Sequence, residues 1–221
     1  MFMPRQHYVR LGGLTVRLAA TQQDLQNIHA IEYPVFGDLA FTVAQQQAWL
    51  ERFPAGIFVM ERDISTKAGG QATEFLGNFH LWPVDPDLAN RFKQGELTYS
   101  DLLPVTLADV VAAGGWPLWR IASLFVEAAY RVPTADNPVA LLLAHALNLW
   151  ADSGYVSYPV ELFSTGFTIQ GQRLLERFGF TPEVPAEQMA NQRPLFVKRA
   201  TSKNDLFAIL GQRGLDALLP E

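Results

Sequence analysis

The sequence predicts an α/β protein, and three stretches carry that prediction. Trp119–Glu127 is short, mostly apolar and free of glycine and proline, so it reads as a buried strand. After a loop at 128–137 come Val139, Leu142, Leu143, Ala146, Leu149 and Trp150, spaced along one helix face. Asp136 or Asn137 suits the cap of that helix and Pro138 its first turn. Val156–Phe163 then repeats the pattern as a strand, with Thr168 capping a helix that reaches Arg177 and stops at Gly179. Near the start, Leu14–Leu18 alternates apolar and polar residues ahead of two helical patterns. A strand that leads through a loop into a helix start aims backbone N–H groups back at the strand end, a geometry that binds anions.

Taken in order, residues 1–12 read as a loose arm or an extra edge strand. Thr21 with Asp24 resembles a capping pattern, and Leu25, Ile28 and either Ile31 or Glu32 carry the next helix, which Pro34 is expected to stop. Phe36–Phe41 reads as a turn. Thr42 caps a second helix lined by Val43, Gln46, Trp49 and Leu50. Ile57–Glu61 and Glu74–Trp82 form a hairpin joined through Gly69–Gly70. Pro83–Leu118 holds two short helical patterns, Leu88–Gln94 and Thr106–Ala113, and interrupts the strand sequence. A connection this long in a compact domain is functional or covers something; it reads as a lid over a groove or as a subunit contact. Ser164–Phe167 is a turn, Phe180–Thr181 opens a strand and Pro194–Arg199 supplies the last one. Residues 202–221 are partly helical, broken by Gly211 and Gly214.

Composition narrows the function classes. A chain of 221 residues, 49% hydrophobic and 18% charged, suits one globular domain with a full core. The formal charge is −5 and no basic cluster stands out, which argues against nucleic acid as partner. The absence of cysteine excludes disulfides, thiolate metal sites and a cysteine nucleophile. His7, His29, His80 and His145 lack metal-ligand spacing, so no metal is expected, and there is no G-x-S-x-G elbow. The start lacks the apolar core of a signal peptide, and the apolar run at 139–151 is too short to span a bilayer. A soluble cytoplasmic protein is the expectation.

FVEAAYR at Phe125–Arg131 and GQRLLERFGFTPE at Gly171–Glu183, closing on Gly179–Phe180, resemble the two signature regions of the GCN5-related N-acetyltransferases. The order of elements is similar to that family's from about Gly13 to Arg199. The resemblance implies one domain over 1–221. Its sheet would be mixed and V-split, flanked by helices, with residues 83–118 as a helical insertion between the third and fourth strands. It further implies transfer of an acyl group from acetyl-CoA to an amine, on a small molecule or a protein, by direct attack on the thioester. The backbones of Phe125 and Val126 would hold the pantetheine. Arg131, Thr134, Ala135 and Asn137 would be the phosphate loop, and Glu127 or Glu161 the base. His80 reads as a core or groove histidine, and a homodimer is compatible.

The chain departs from the family pattern in chemically meaningful places. Both glycine positions of the phosphate loop fall on Thr134 and Asp136, while Pro133 and Pro138 each remove an N–H donor. The Asp136 carboxylate would face two phosphate charges, at a cost of about 1–4 kcal/mol per pair at 4 Å. Leu175 stands where many relatives carry a tyrosine acid. The alternative class is therefore a binding or assembly module of the same fold that has lost acetyl-CoA. A third, acyl-homoserine-lactone-type synthesis, fits the late helix and Gly-Phe less well.

Overall fold

The structure, a computed structural model, describes residues 8–11, 14–65, 71–127 and 138–207. They group into two compact units, one drawn from Met1–His80 and Ser123–Leu149, the other from Leu81–Ala122 and Trp150–Glu221. Two long strands, β4 (Gln71–Pro83) and β5 (Trp116–Val126), run through both.

The first unit holds β1 (Tyr8–Leu11), β2 (Leu14–Leu18), α1 (Gln22–Phe36), α2 (Val43–Arg52), β3 (Ile57–Ser65) and most of α5 (Pro138–Ala151). Its strands lie in the order β1-β2-β3-β4-β5, and the pairs from β1 to β4 are antiparallel. Of the two readings for the N-terminal arm, Tyr8–Leu11 takes the edge-strand one.

α1 begins at a capping box. Thr21 Oγ1 accepts from Asp24 N (3.1 Å), and Asp24 Oδ2 accepts from Thr21 N (2.9 Å) and Ala20 N (2.8 Å). Arg17 on β2 ties the same carboxylate to β3, reaching Asp24 at 2.7 Å and Glu61 at 2.6 Å. Burial works to raise the Asp24 pKa, but the hydrogen bonds from Arg17, Ala20 and Thr21 outweigh it and hold it at about 2. Pro34 does not stop the helix. α1 runs on to Phe36 and ends at Gly37, whose φ of 56° suits glycine. Pro34 has no N–H for the carbonyl four residues back, and standing in the last turn it loses that one bond without interrupting a longer helix.

The second unit holds α3 (Pro86–Lys93), α4 (Leu107–Ala112), the first part of β5, β6 (Val156–Thr165), α6 (Ile169–Arg177), β7 (Thr181–Val184), β8 (Leu195–Ala200) and α7 (Lys203–Phe207). Its order is β5-β6-β8-β7, with β5 and β6 parallel and the other pairs antiparallel. The registered β5–β6 ladder runs from Trp116↔Val156 to Arg120↔Phe163 and ends there, although both strands continue. That early end is the split of the V.

Several boundaries differ from the sequence reading. β5 starts at Trp116, so the insertion closes at Gly115. Its indole donates to Val84 O (2.8 Å), and Trp119 Nε1 donates to Trp116 O (2.7 Å). Trp119 packs edge-on against Trp150 at 5.2 Å, as core. β6 extends to Thr165, through residues expected to turn, because Ser164 and Thr165 keep their pairing to β8. The insertion buries Phe92, Tyr99, Leu102 and Val110, and the Phe92 ring packs at a tilt against Phe163 of β6 at 6.1 Å. An insertion so buried is part of this unit's core.

Candidate active site

On α1, Leu25, Ile28 and Glu32 fall three, four and seven residues apart and share the buried face. Glu32 is the exception in that apolar stripe, at 1% exposure. On β4, Asn78 and His80 lie two apart and point the same way, both fully buried. Ser123 on β5 completes a polar cluster inside the first unit. Its hydroxyl donates to Glu32 Oε1, which also accepts from Asn78 Nδ2 at 2.8 Å. Asn78 Nδ2 lies 3.2 Å from Ser123 Oγ and 3.3 Å from His80 Nε2.

The local sequence explains why these groups meet. Gly77 lets β4 approach the end of β5: a Cβ there would stand 2.3 Å from Phe125 O and 3.1 Å from Val126 Cα. The register of β3 against β4 also shifts at Met60/Glu61, opposite this glycine. Phe36 packs edge-on against Phe125 at 6.0 Å, and Phe41 stacks over His80 at 6.3 Å, closing the cluster with aromatic rings.

Burial drives the Glu32 pKa upward, and the hydrogen bonds from Ser123 and Asn78 and the nearby His29 oppose it only in part. A raised carboxyl whose partner hydroxyl is only half-buried can exchange a proton with a group on the accessible side of that hydroxyl.

No protein-family model matches the chain, and no curated protein does. Solved structures do. An arylalkylamine N-acetyltransferase-like protein 5b of mosquito matches with a TM-score of 0.54 at 16% identity, over 85% of this chain and 100% of that one. A GCN5-related N-acetyltransferase of Brucella melitensis matches at 0.51 and 15%, over 98% and 87%. Arabidopsis thaliana Naa50, in complex with the bisubstrate analogue CoA-Ac-MVNAL, matches at 0.50 and 10%, over 84% and 98%. The chain has the GCN5-related N-acetyltransferase fold.

Within this acetyltransferase fold the residues singled out from sequence fall in three places. Phe125 and Val126 end β5 with buried side chains. Glu127 follows them with an exposed side chain, its N–H donating to Leu76 O (2.9 Å). Glu161 sits apart, on β6 in the second unit, where it receives Lys93 Nζ at 2.6 Å and Arg199 Nε at 2.8 Å. Lys93 and Arg199 also hold Glu183, at 3.1 and 2.5 Å, which closes a ring of four alternating charges. Both oxygens of Glu161 are thus engaged by cations. Arg131, Thr134, Ala135 and Asn137, with Pro133 and Asp136, lie outside the described residues, as do the hairpin tip at 66–70 and the tail at 208–221.

Glu32, Asn78 and Ser123 are the residues sequence reasoning passed over. The available signal was a glutamate at a stripe position, where the choice between Ile31 and Glu32 had stayed open. Among the described residues no group of three metal-ligating side chains occurs, and no helix is long and apolar enough to cross a membrane.

Proposed function

We propose that the protein is an acyl-CoA-dependent N-acyltransferase in which Glu32, acting through Ser123, takes the proton from the acceptor amine. The observation that carries this reading is the buried carboxyl of α1 hydrogen-bonded to a half-buried hydroxyl on β5, two and three residues before Phe125 and Val126. The amine nitrogen attacks the thioester carbon, and its N–H proton passes to Ser123 Oγ while the Ser123 proton passes to Glu32. Collapse of the adduct breaks the C–S bond and releases the thiolate, which is protonated from water, since Leu175 offers no proton. Glu32 returns its proton through Ser123 to solvent, neutralising the hydroxide.

Acetyl-CoA is the co-substrate in this reading. The backbones of Phe125 and Val126 would run beside the pantetheine, and Arg131, Thr134, Ala135 and Asn137 would meet the phosphates. Glu127, exposed at the end of β5, is the second candidate for the base. The fold neighbours support acyl transfer in general terms, and the Naa50 complex shows a coenzyme A moiety on such a scaffold. For the acceptor we favour an amine on an apolar body. Tyr33, Val35 and Leu39 stand exposed at the end of α1 and just beyond it, following Glu32 in sequence, and the mosquito neighbour is named for arylalkylamines.

Acetyl-CoA titration by calorimetry, followed by thioester turnover against a panel of arylalkylamines, tests the reading. Micromolar to submillimolar binding and turnover lost in Glu32→Gln are expected. No heat at millimolar acetyl-CoA would favour the rival reading of a non-catalytic module, to which Pro133, Asp136, Pro138 and Leu175 point.

A further inference from the structure

The insertion before β5 makes one contact that bears on the split itself. Tyr99, in a single 3-10 turn at Tyr99–Asp101, is 8% exposed and reaches the last residue of β6. Its phenol oxygen accepts from Thr165 N at 2.9 Å and is hydrogen-bonded to Thr165 Oγ1. Thr165 lies two residues beyond Phe163, the last residue of β6 in register with β5. Between them Ser164 Oγ donates to Ile121 O at 3.0 Å, a side chain in place of a ladder bond.

The tyrosine is itself held from several sides. Arg120, the last registered residue of β5, places its guanidinium 4.0 Å from the centre of the Tyr99 ring and donates to Tyr99 O at 3.0 Å. Phe92 and Phe167 pack on the same ring at 5.4 and 5.5 Å. The residue that ends the parallel ladder thus also fixes the side chain that caps β6 beyond it.

We infer that Tyr99 is a positioning residue: by occupying the backbone N–H and hydroxyl of Thr165 it keeps β6 from zipping onto β5 past Arg120↔Phe163. The insertion is then a brace for the split sheet. The inference rests on the proposed acyl transfer only for its consequence, that the coenzyme needs β5 parted from β6.

Tyr99→Phe keeps the ring over Arg120 and removes only the hydroxyl. In this variant the Thr165 amide should exchange with solvent roughly five- to tenfold faster, the worth of one hydrogen bond. KM for acetyl-CoA should rise by about the same factor, with kcat at saturation little changed. An unchanged Thr165 exchange rate would overturn the brace, whatever happens to activity. Faster exchange with an unchanged KM would overturn its link to the coenzyme. If the parent protein binds no acetyl-CoA, the functional reading fails alone, and the exchange measurement still decides the brace. Should Tyr99→Phe fail to fold, Thr165→Val, which deletes only the side-chain partner, is read by the same two measurements and must shift both in the same direction.

Discussion

Glu32 and Glu161 are both glutamates flanked by apolar residues in sequence, yet the two units use them in opposite ways. Glu161 meets an ammonium and a guanidinium, and with Glu183 closes a ring whose charges cancel. Glu32 meets a hydroxyl and an amide, neutral donors that both bond its Oε1 without matching its charge. Partnership with cations turns a carboxylate into a tie between α3, β6, β7 and β8. Burial among neutral donors pushes the Glu32 pKa upward. The comparison teaches that the partner set, and not burial alone, separates a carboxylate tied into a charge ring from one suited to the base role proposed above.

The sharpest way to break the comparison is to neutralise each acid in turn. Glu32→Gln should cut kcat/KM by about a hundredfold or more, the range for loss of a general base, with acetyl-CoA affinity unchanged by calorimetry. Glu161→Gln should leave turnover within about twofold; an equal loss in both would erase the distinction.

The raised pKa of Glu32 gives a second handle through pH. Its folded pKa lies above the unfolded one, so the folded state holds the proton longer. The stability it contributes is full at low pH and declines as pH rises from the ordinary carboxyl range through the raised value. Denaturant titrations at several pH values should show that decline, and Glu32→Gln should flatten it. Asp24 works with the opposite sign: its pKa falls from 3.8 to about 2, so its contribution is present above 3.8 and lost as pH drops toward 2. Asp24→Asn should remove that acid-side loss.

Next in size is the phosphate loop. Relieving even one charge pair at the low end of its cost, Asp136→Gly should tighten acetyl-CoA by roughly fivefold, read by calorimetry. Unchanged affinity would show that repulsion at this loop is not what distinguishes it from its relatives.

Gly77→Ala forces a methyl against the Phe125 carbonyl and should cost about 1–3 kcal/mol in urea melts while displacing Ser123 from Glu32. The smallest effect is expected at the ion-pair ring. Lys93→Met should lower stability by about 1 kcal/mol or less, and high salt should shrink the difference, since Arg199 is exposed and screened.

Much of this was readable before any coordinates. Thr21, Thr42 and Thr168 cap the helices they precede, each accepting from the backbone N–H three residues on. Gly179, at φ 74°, ends α6 as expected. Strand alternation and helical stripes placed every major element within a few residues. Pro34 misled because position in the last turn decides what a proline costs. β5 starts three residues before the expected Trp119, with a register irregularity between Trp116 and Leu118.

By itself the sequence determined the order, type and caps of the elements, because those depend on side chains a few residues apart along the chain. It also determined which chemistries are absent, since no fold can supply a missing cysteine. Only the tertiary structure decided which carboxylate is a base candidate, because Glu32 meets Asn78 and Ser123 across 46 and 91 residues of chain. The same is true of Tyr99 and Thr165, 66 residues apart. Partners at such distances leave no local pattern; they are set by how strands stack and where a glycine lets two backbones come close.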